Sequence, residues 1–581
     1  MGAWLATICR STLWAALAAG GCITCLAAEP ADLLLVHGKV VTVDDRFSIA
    51  SAVAVRGGHI VAVGGDEILQ RYKGATTIDL HGLPLLPGFI DDHLHPQALS
   101  PRAIDASKAR SITELQEMLR KKAQQLGKGE WITGYGWAEA NLAEKRNVLR
   151  SDLDAAAPDN PVALVRAGGH SIVGNSKALA LAGIDRNTPK PLRGVIEHTA
   201  QGEPNGIIRE RNDLYLHLVP PDSFAALRSG YVDSLRHMLT LGLTSVIVAA
   251  SSIRDEVKVE NRPEQPDNMA TFKNYQDIYA EYGDTLPRAV VEIGYPGEKA
   301  LCAYPHKTGW GDDRLKLGAI GEAPAVDGGF TGPTAWTSQD YKGQPGFRGQ
   351  PFFKDRQDLQ QLADSVAKCG WQLGLHAIGD AAINQAVEVY AAALEKYPHP
   401  DARWYLAHFT MTPTDATIAQ MLKSKILAAA QPNFLYTLEN RYDETLDGER
   451  LEHVNPVGRP LRKGVFIAFG SDNLPIDPRV GLYAAVTRKG MSGRVYGPDE
   501  AVSIQQALRM YTVNSAYLSW DEHKKGSIEV GKLADLIVLD RDPLTIPPEQ
   551  LLTMGVLTTI VNGKLVYQAK DSPAATHAEA Q

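Results

Sequence analysis

The sequence predicts an α/β protein: a parallel sheet with helices packed outside it, and a second, smaller β domain assembled from both ends of the chain. Three observations carry this. Strand-like runs alternate with helical patterns through the middle of the chain. Short alternating β runs occupy both ends, and several of the central strand-like runs finish on a histidine or an aspartate.

From the N-terminus, Arg10 precedes the apolar, small-residue run STLWAALAAGGCITCLAA, and charge returns at Glu29. That is the build of a secretory signal peptide over residues 1–28. A lipid anchor at Cys22 is the lesser alternative, because AAGG before it lacks a large aliphatic residue. Export to the periplasm or the exterior is therefore expected. No later segment is long and apolar enough to span a membrane.

Next come LLLVHGKVVTV and SIASAVAVRGGHIVAVG, where Gly57-Gly58 reads as a hairpin turn. The far end answers with GKLADLIVLD and GVLTTIVNGKLVY, turned at Asn562-Gly563. Residues 29–85 and 526–570 are thus expected to form one β-sandwich, residues 86–525 the α/β domain, and 571–581 a disordered tail. Within the α/β domain, WQLGLHA precedes DAAINQAVEVYAAALEKY, whose Ile383, Val387, Tyr390 and Leu394 share one helical face. RWYLAHF and GVFIAFGSD also lead into helix-compatible stretches. YKGQPGFRGQPF reads as a loop long enough to shape a site.

Composition excludes several classes. With 44% hydrophobic and 22% charged residues and a net charge of −8, nothing basic awaits a phosphate backbone, so no nucleic-acid partner is expected. There is no P-loop and no strand–GxGxxG–helix unit. Of five cysteines, Cys302 and Cys369 lie beyond the leader; isolated thiols are the favoured reading, with pairing left open. A homodimer is allowed by the sequence but not read from it.

The stretch PGFIDDHLHP presents His93 and His95 two apart, on one face of a strand. Alone this is a weak metal motif. But His95, His376 (LGLH), His408 (WYLAH) and Asp472 (IAFGSD) each end a strand-like run. In a barrel of parallel strands such ends meet around one mouth, where active sites are built. Neutral imidazoles with a carboxylate suit Zn²⁺. Asp91 shares strand parity with His93 and His95; it either faces inward one layer below and orients them or is a structural aspartate.

With PGFIDDHLHP, HAIGDAAI, AHFTMT, QPNF, GSDNLPIDP and GSIEVGKLADLIVLDRDP, the chain resembles the amidohydrolase superfamily over nearly its whole length. More narrowly it resembles the amidohydrolase 3 or YtcJ-like branch that includes N-substituted formamide deformylase. The resemblance implies a (β/α)8 TIM-like barrel, a β-sandwich from both termini, and one or two divalent metals per chain, commonly zinc. It implies that His93 and His95 bind one metal, that His376 and His408 bind a second or, in mononuclear members, help bind the single metal or its substrate, and that Asp472 is both ligand and general base. A metal would bring bound water to ionise near neutral pH, and Asp472 would pass its proton to the leaving nitrogen.

The chain departs from that pattern at one place. Relatives usually carry a lysine shortly before a DG dipeptide; here the region reads RLKLGAIGEAPAVDGGFTGPTAW. Asp327-Gly328 and Thr334-Ala335 match, but Lys316 lies six residues before Glu322, roughly 20 Å along a strand. Glu322 falls close to the expected slot and is the candidate bridging carboxylate; the alternative is that it serves one metal or the pocket wall in a mononuclear site. In LVRAGGHSIVGNSKALALAGI, His170 and Asn175 match a branch motif; His170 is a candidate carbonyl ligand or oxyanion donor. Arg166, Trp336 and Gln431 are weaker pocket candidates, and Glu210 matches a recurrent position without an assigned role.

The expected activity is metal-dependent hydrolysis of an amide or N-formyl C–N bond in a small molecule. Ester, lactone or carbamate hydrolysis is open to the same chemistry. Deamination is disfavoured, because His376 is followed by Ala-Ile-Gly-Asp and not by a glutamate three residues on. A non-catalytic exported binding protein is the alternative of another class.

Overall fold

The structure, a computed structural model, describes residues 28–96, 100–192, 194–249, 268–353 and 355–577. Residues 1–27 of the predicted leader, Cys22 among them, and residues 578–581 lie outside them.

Eight parallel strands form the central sheet: β1 (Phe89–Leu94), β2 (Leu243–Val248), β3 (Arg288–Ile293), β4 (Leu315–Glu322), β5 (Leu373–Ala377), β6 (Tyr405–His408), β7 (Leu427–Ala430) and β8 (Ile467–Phe469). They pair in chain order, and a parallel bridge from Leu94 to Asp472 closes β8 onto β1. This is the expected TIM-like barrel. Its strands are buried on both faces, as a parallel sheet inside a helical ring must be. Helices such as Asp380–Lys396 bury Ile383, Val387 and Tyr390 against the sheet. At the base Lys316 meets Asp521, so its amine is at the opposite end from Glu322.

The two chain ends build a two-sheet sandwich. A five-stranded sheet holds Glu29–Val36 and Tyr72–Asp79; a six-stranded sheet pairs Pro84–Pro87 with Leu536–Leu539. Leu33, Val53 and Ile78 meet Val538 and Ile560 in the core between them. Ala575–His577, within the stretch read as a disordered tail, adds an edge strand beside Tyr72–Asp79.

One unit was not anticipated. Residues between β1 and β2 form a separate six-stranded sheet running from Ala103–Asp105 to Val195–His198, with its own core around Leu115, Leu119, Ile132 and Val162. The cysteines also depart from the favoured reading of isolated thiols. Cys302 and Cys369 form a disulfide joining the helix Glu298–Ala303 to the end of Arg356–Lys368.

Candidate metal centre and substrate pocket

The C-terminal strand ends deliver the predicted residues to one place. His95 Nε2 lies 3.0 Å and His93 Nε2 3.4 Å from Oε2 of Glu322. The other oxygen, Oε1, lies 3.6 Å from His376 Nδ1 and 3.6 Å from His408 Nε2. One carboxylate thus faces two pairs of imidazoles, one pair on each oxygen. Asp472 Oδ1 stands 3.5 Å from His95 Nε2.

Local backbone geometry explains how strands can present these groups. Glu322, His408 and Asp472 take φ values of 52°, 78° and 55°. The left-handed region costs a non-glycine residue about 1–3 kcal/mol and persists only where the surroundings impose it. Here the turn at each strand end swings the side chain over the barrel mouth.

The surrounding polar groups aim the ligands. His408 Nδ1 is 2.8 Å from Gln431 Oε1, so Gln431 holds the ring with Nε2 facing Glu322. Asp91 serves the backbone, with no hydrogen bond to either imidazole. Strand β1 is bulged, pairing Val246 with Asp91 but Val248 with Leu94, and the bulge breaks the alternation on which the shared parity relied. Asp91 Oδ1 accepts from the backbone N–H groups of His93 and Ser471. It ties the first ligand strand to the last, beside the bond from Asp472 N to His93 O at 2.7 Å.

The electrostatics hold an ionised carboxylate, Glu322, among the histidines. Burial holds His93 and His376 below the usual imidazole range. Burial works against charge on Glu322 too, but the facing histidines keep its carboxyl well below the ordinary range. His95, despite burial, is pushed up to about 10 by Glu322 and Asp472. Burial raises Asp472 to about 6. Among the described residues, both ring nitrogens of His93, Nε2 of His376 and of His408, and Oε2 of Glu322 are buried without a hydrogen-bond partner. Such orphaned groups are costly unless something binds them. The two triads, His93–His95–Glu322 and Glu322–His376–His408, each bring their donor atoms within 4.8 Å of one another. Nitrogen and carboxylate donors in these sets suit a divalent transition metal.

Beside this cluster lies a tight cleft, with room of about 10 Å³, bordered by His170 and Asp472. Phe330, Ile378, Phe434, Leu438, Tyr442 and Leu474 line it, and none of these was singled out from sequence. They read there as ordinary core residues, and only chain folding places them at the mouth. Beneath the ligands, Asp92 and Glu292 are also buried, and Tyr405 donates its hydroxyl to Glu292. Burial lifts Glu292 to about 8 and Asp92 well above the carboxylate range.

The other candidates fall into place as follows. His170, in the turn between Val162–Arg166 and Ser171–Gly174 of the inserted sheet, reaches the pocket and donates from Nδ1 to Glu210 at 2.9 Å. Burial opposes its charge, but Glu210 raises it to about 9. Arg166 is spent on Glu139, with contacts of 3.0 and 2.7 Å. Asn175 caps the helix Ser176–Leu181 and also binds Val162 N, Ala157 O and Asn160 O. Asn before a helix is a capping signal that the sequence carried. Trp336 gives its backbone N–H to Asp327; the same carboxylate takes N–H groups from Ile378 and Gly379. Asp327 thereby fastens the loop after β4 to the end of β5.

Comparison with known proteins bears on the family and the fold. The amidohydrolase family model matches residues 76–567. An N-substituted formamide deformylase of Arthrobacter pascens is 30% identical over 93% of this chain and 99% of its own. The Bacillus subtilis protein YtcJ is 29% identical over 91% of this chain and 98% of its own. Among solved structures, an uncharacterized metal-dependent hydrolase from Pyrococcus horikoshii shares the fold, with a TM-score of 0.66 at 24% identity, covering 89% of this chain and 99% of that one.

Proposed function

The chain belongs to the amidohydrolase family, and from that premise we propose that it is a metal-dependent hydrolase of small-molecule amides, with N-substituted formamides as the reference substrates. The observation that carries this is the Glu322 carboxylate divided between two imidazole pairs, with Asp472 at the border of the pocket. His93, His95 and Glu322 would hold one divalent metal, and Glu322, His376 and His408 a second, zinc being the expected ion. When bound, the metal supplies Lewis acidity that makes water readily deprotonated and polarises a carbonyl.

The chain's own residues supply the rest. Asp472 takes a proton from the attacking water as the C–O bond forms and returns it to the leaving nitrogen as the C–N bond breaks. An amide and water thus become an acid and an amine. His170 offers a polar edge to the carbonyl side of the substrate. The apolar, partly aromatic side of the lining, with Phe330, Phe434 and Tyr442, suits an uncharged N-substituent.

The test is a panel of N-aryl and N-alkyl formamides, larger amides, and matched esters, assayed with the metal-loaded and the chelated protein. Release of formate and amine by the loaded form only is expected. Turnover of esters alone would move the assignment to ester chemistry, and no turnover at all would favour a binding protein. We also propose that the protein is exported. The Cys302–Cys369 disulfide supports this, since such bonds persist in oxidising compartments. Cell fractionation tests it, and a protein confined to the cytosol would refute it.

A further inference from the structure

We propose that Glu210 is a positioning residue that fixes the His170 ring so that its Nε2 edge faces the substrate carbonyl in the pocket. This rests on the hydrolase reading above. Glu210 and His170 stand at the ends of neighbouring antiparallel strands, one step beyond the pair Ser171–Arg209, and Glu210 N donates to His170 O at 2.8 Å. The side chains then meet again: His170 Nδ1 is 2.9 Å from Oε2 of Glu210. The second oxygen, Oε1, accepts from the Thr334 hydroxyl. Both carboxylate oxygens are therefore taken, and the carboxylate cannot rotate away from the ring.

With Nδ1 engaged, Nε2 is the free edge, and among the described residues it has no hydrogen-bond partner. The loop after β4 leaves it open. A Cβ on Gly329 would lie 3.1 Å from Nε2 and Cδ2 of His170, crowding that edge. A Cβ on Gly328 would lie 2.1 Å from the Thr334 hydroxyl oxygen and 3.0 Å from Glu210 Oε1, and one on Gly332 would lie 2.9 Å from His170 O. Three glycines in DGGFTGPTAW thus make room for one hydrogen-bonded chain, Thr334–Glu210–His170. A buried glutamate of purely structural use needs no such clearance in front of the histidine it holds. His170 and Asp472, the proton-transferring carboxylate, both border the pocket.

The experiment is a double-mutant cycle read on formanilide, or on whichever amide the panel identifies, combined with a spectrum that needs no substrate. Glu210→Ala is expected to lower kcat roughly 10- to 100-fold with KM changed less than about threefold. Glu210→Gln keeps an oxygen for Nδ1–H and should retain activity within roughly fivefold of the parent. In a His170→Ala background, Glu210→Ala should cost less than about twofold, because its effect passes through His170. Additive losses, or a Glu210→Gln variant as damaged as Glu210→Ala, would overturn the proposal. In ¹⁵N-histidine spectra, with the His170 signals assigned by their loss in His170→Ala, Nδ1 should carry a bonded proton in the wild type and in Glu210→Gln, and lose that signature in Glu210→Ala. An unprotonated Nδ1 in the wild type overturns the proposal even if no amide is turned over, so its failure is distinguishable from failure of the hydrolase reading.

Discussion

Glu139→Gln removes the charge that clamps the inserted sheet to the pocket wall. Glu139 accepts hydrogen bonds from Arg166 at 2.7 and 3.0 Å and forms an ion pair with Arg441 Nε at 3.0 Å, and the Arg166 side chain is only 1% exposed. Arg441 sits on the helix Asn433–Thr445, which carries Phe434, Leu438 and Tyr442. Burial alone would raise the Glu139 carboxyl, but Arg166 and Arg441 hold it down at about 2, against 4.5 ordinarily. That drop corresponds to about 3 kcal/mol of stability, close to the roughly 3–5 kcal/mol lost when one partner of a buried pair is removed. Because the folded pKa lies below the unfolded one, the stabilisation is full above about pH 4.5 and drains away as pH falls toward 2. Urea denaturation of wild type and variant at pH 7 should show a gap near 3 kcal/mol, shrinking when repeated at pH 3.5. A gap below about 1 kcal/mol at pH 7, or one that does not shrink with acid, would refute the reasoning.

Other outcomes follow from the same contacts. Replacing Cys302 and Cys369 by alanine opens a crosslink spanning 67 residues and should cost about 4 kcal/mol; reductant should cause a like loss in the wild type and none in the variant. Gln431→Leu deprives His408 Nδ1 of its acceptor and should weaken metal binding roughly 10- to 100-fold in a chelator competition, whereas unchanged affinity would mean that Gln431 does not aim the ligand. Asp472→Asn should lower kcat at least about 100-fold while metal content, measured by elemental analysis, stays largely in place; near-normal turnover would remove Asp472 from the proton path.

Much of this architecture was legible in the sequence, for physical reasons. A parallel barrel gathers strand ends, so His95, His376, His408 and Asp472 announce one mouth without any knowledge of loops. The sandwich was legible because alternation and an Asn-Gly turn are local signals. The inserted sheet was not, since its strands and helices obey the same periods as the barrel's, and local pattern cannot say which sheet a strand joins. The pocket wall was hidden for a related reason: Phe434 and Tyr442 are spaced like any buried helical face. Arg166 read as a substrate ligand because its partner, Glu139, is 27 residues away. Two lone cysteines carry no sign of pairing until their Cα atoms stand 4.9 Å apart.

The most direct test of the bridging role of Glu322 is the metal content of the purified protein and of Glu322→Gln, measured as equivalents per chain after dialysis. About two equivalents in the wild type and at most one in the variant are expected, because a neutral amide cannot balance two cations between the His93–His95 and His376–His408 pairs. One equivalent in the wild type, or two retained in the variant, would contradict the bridge.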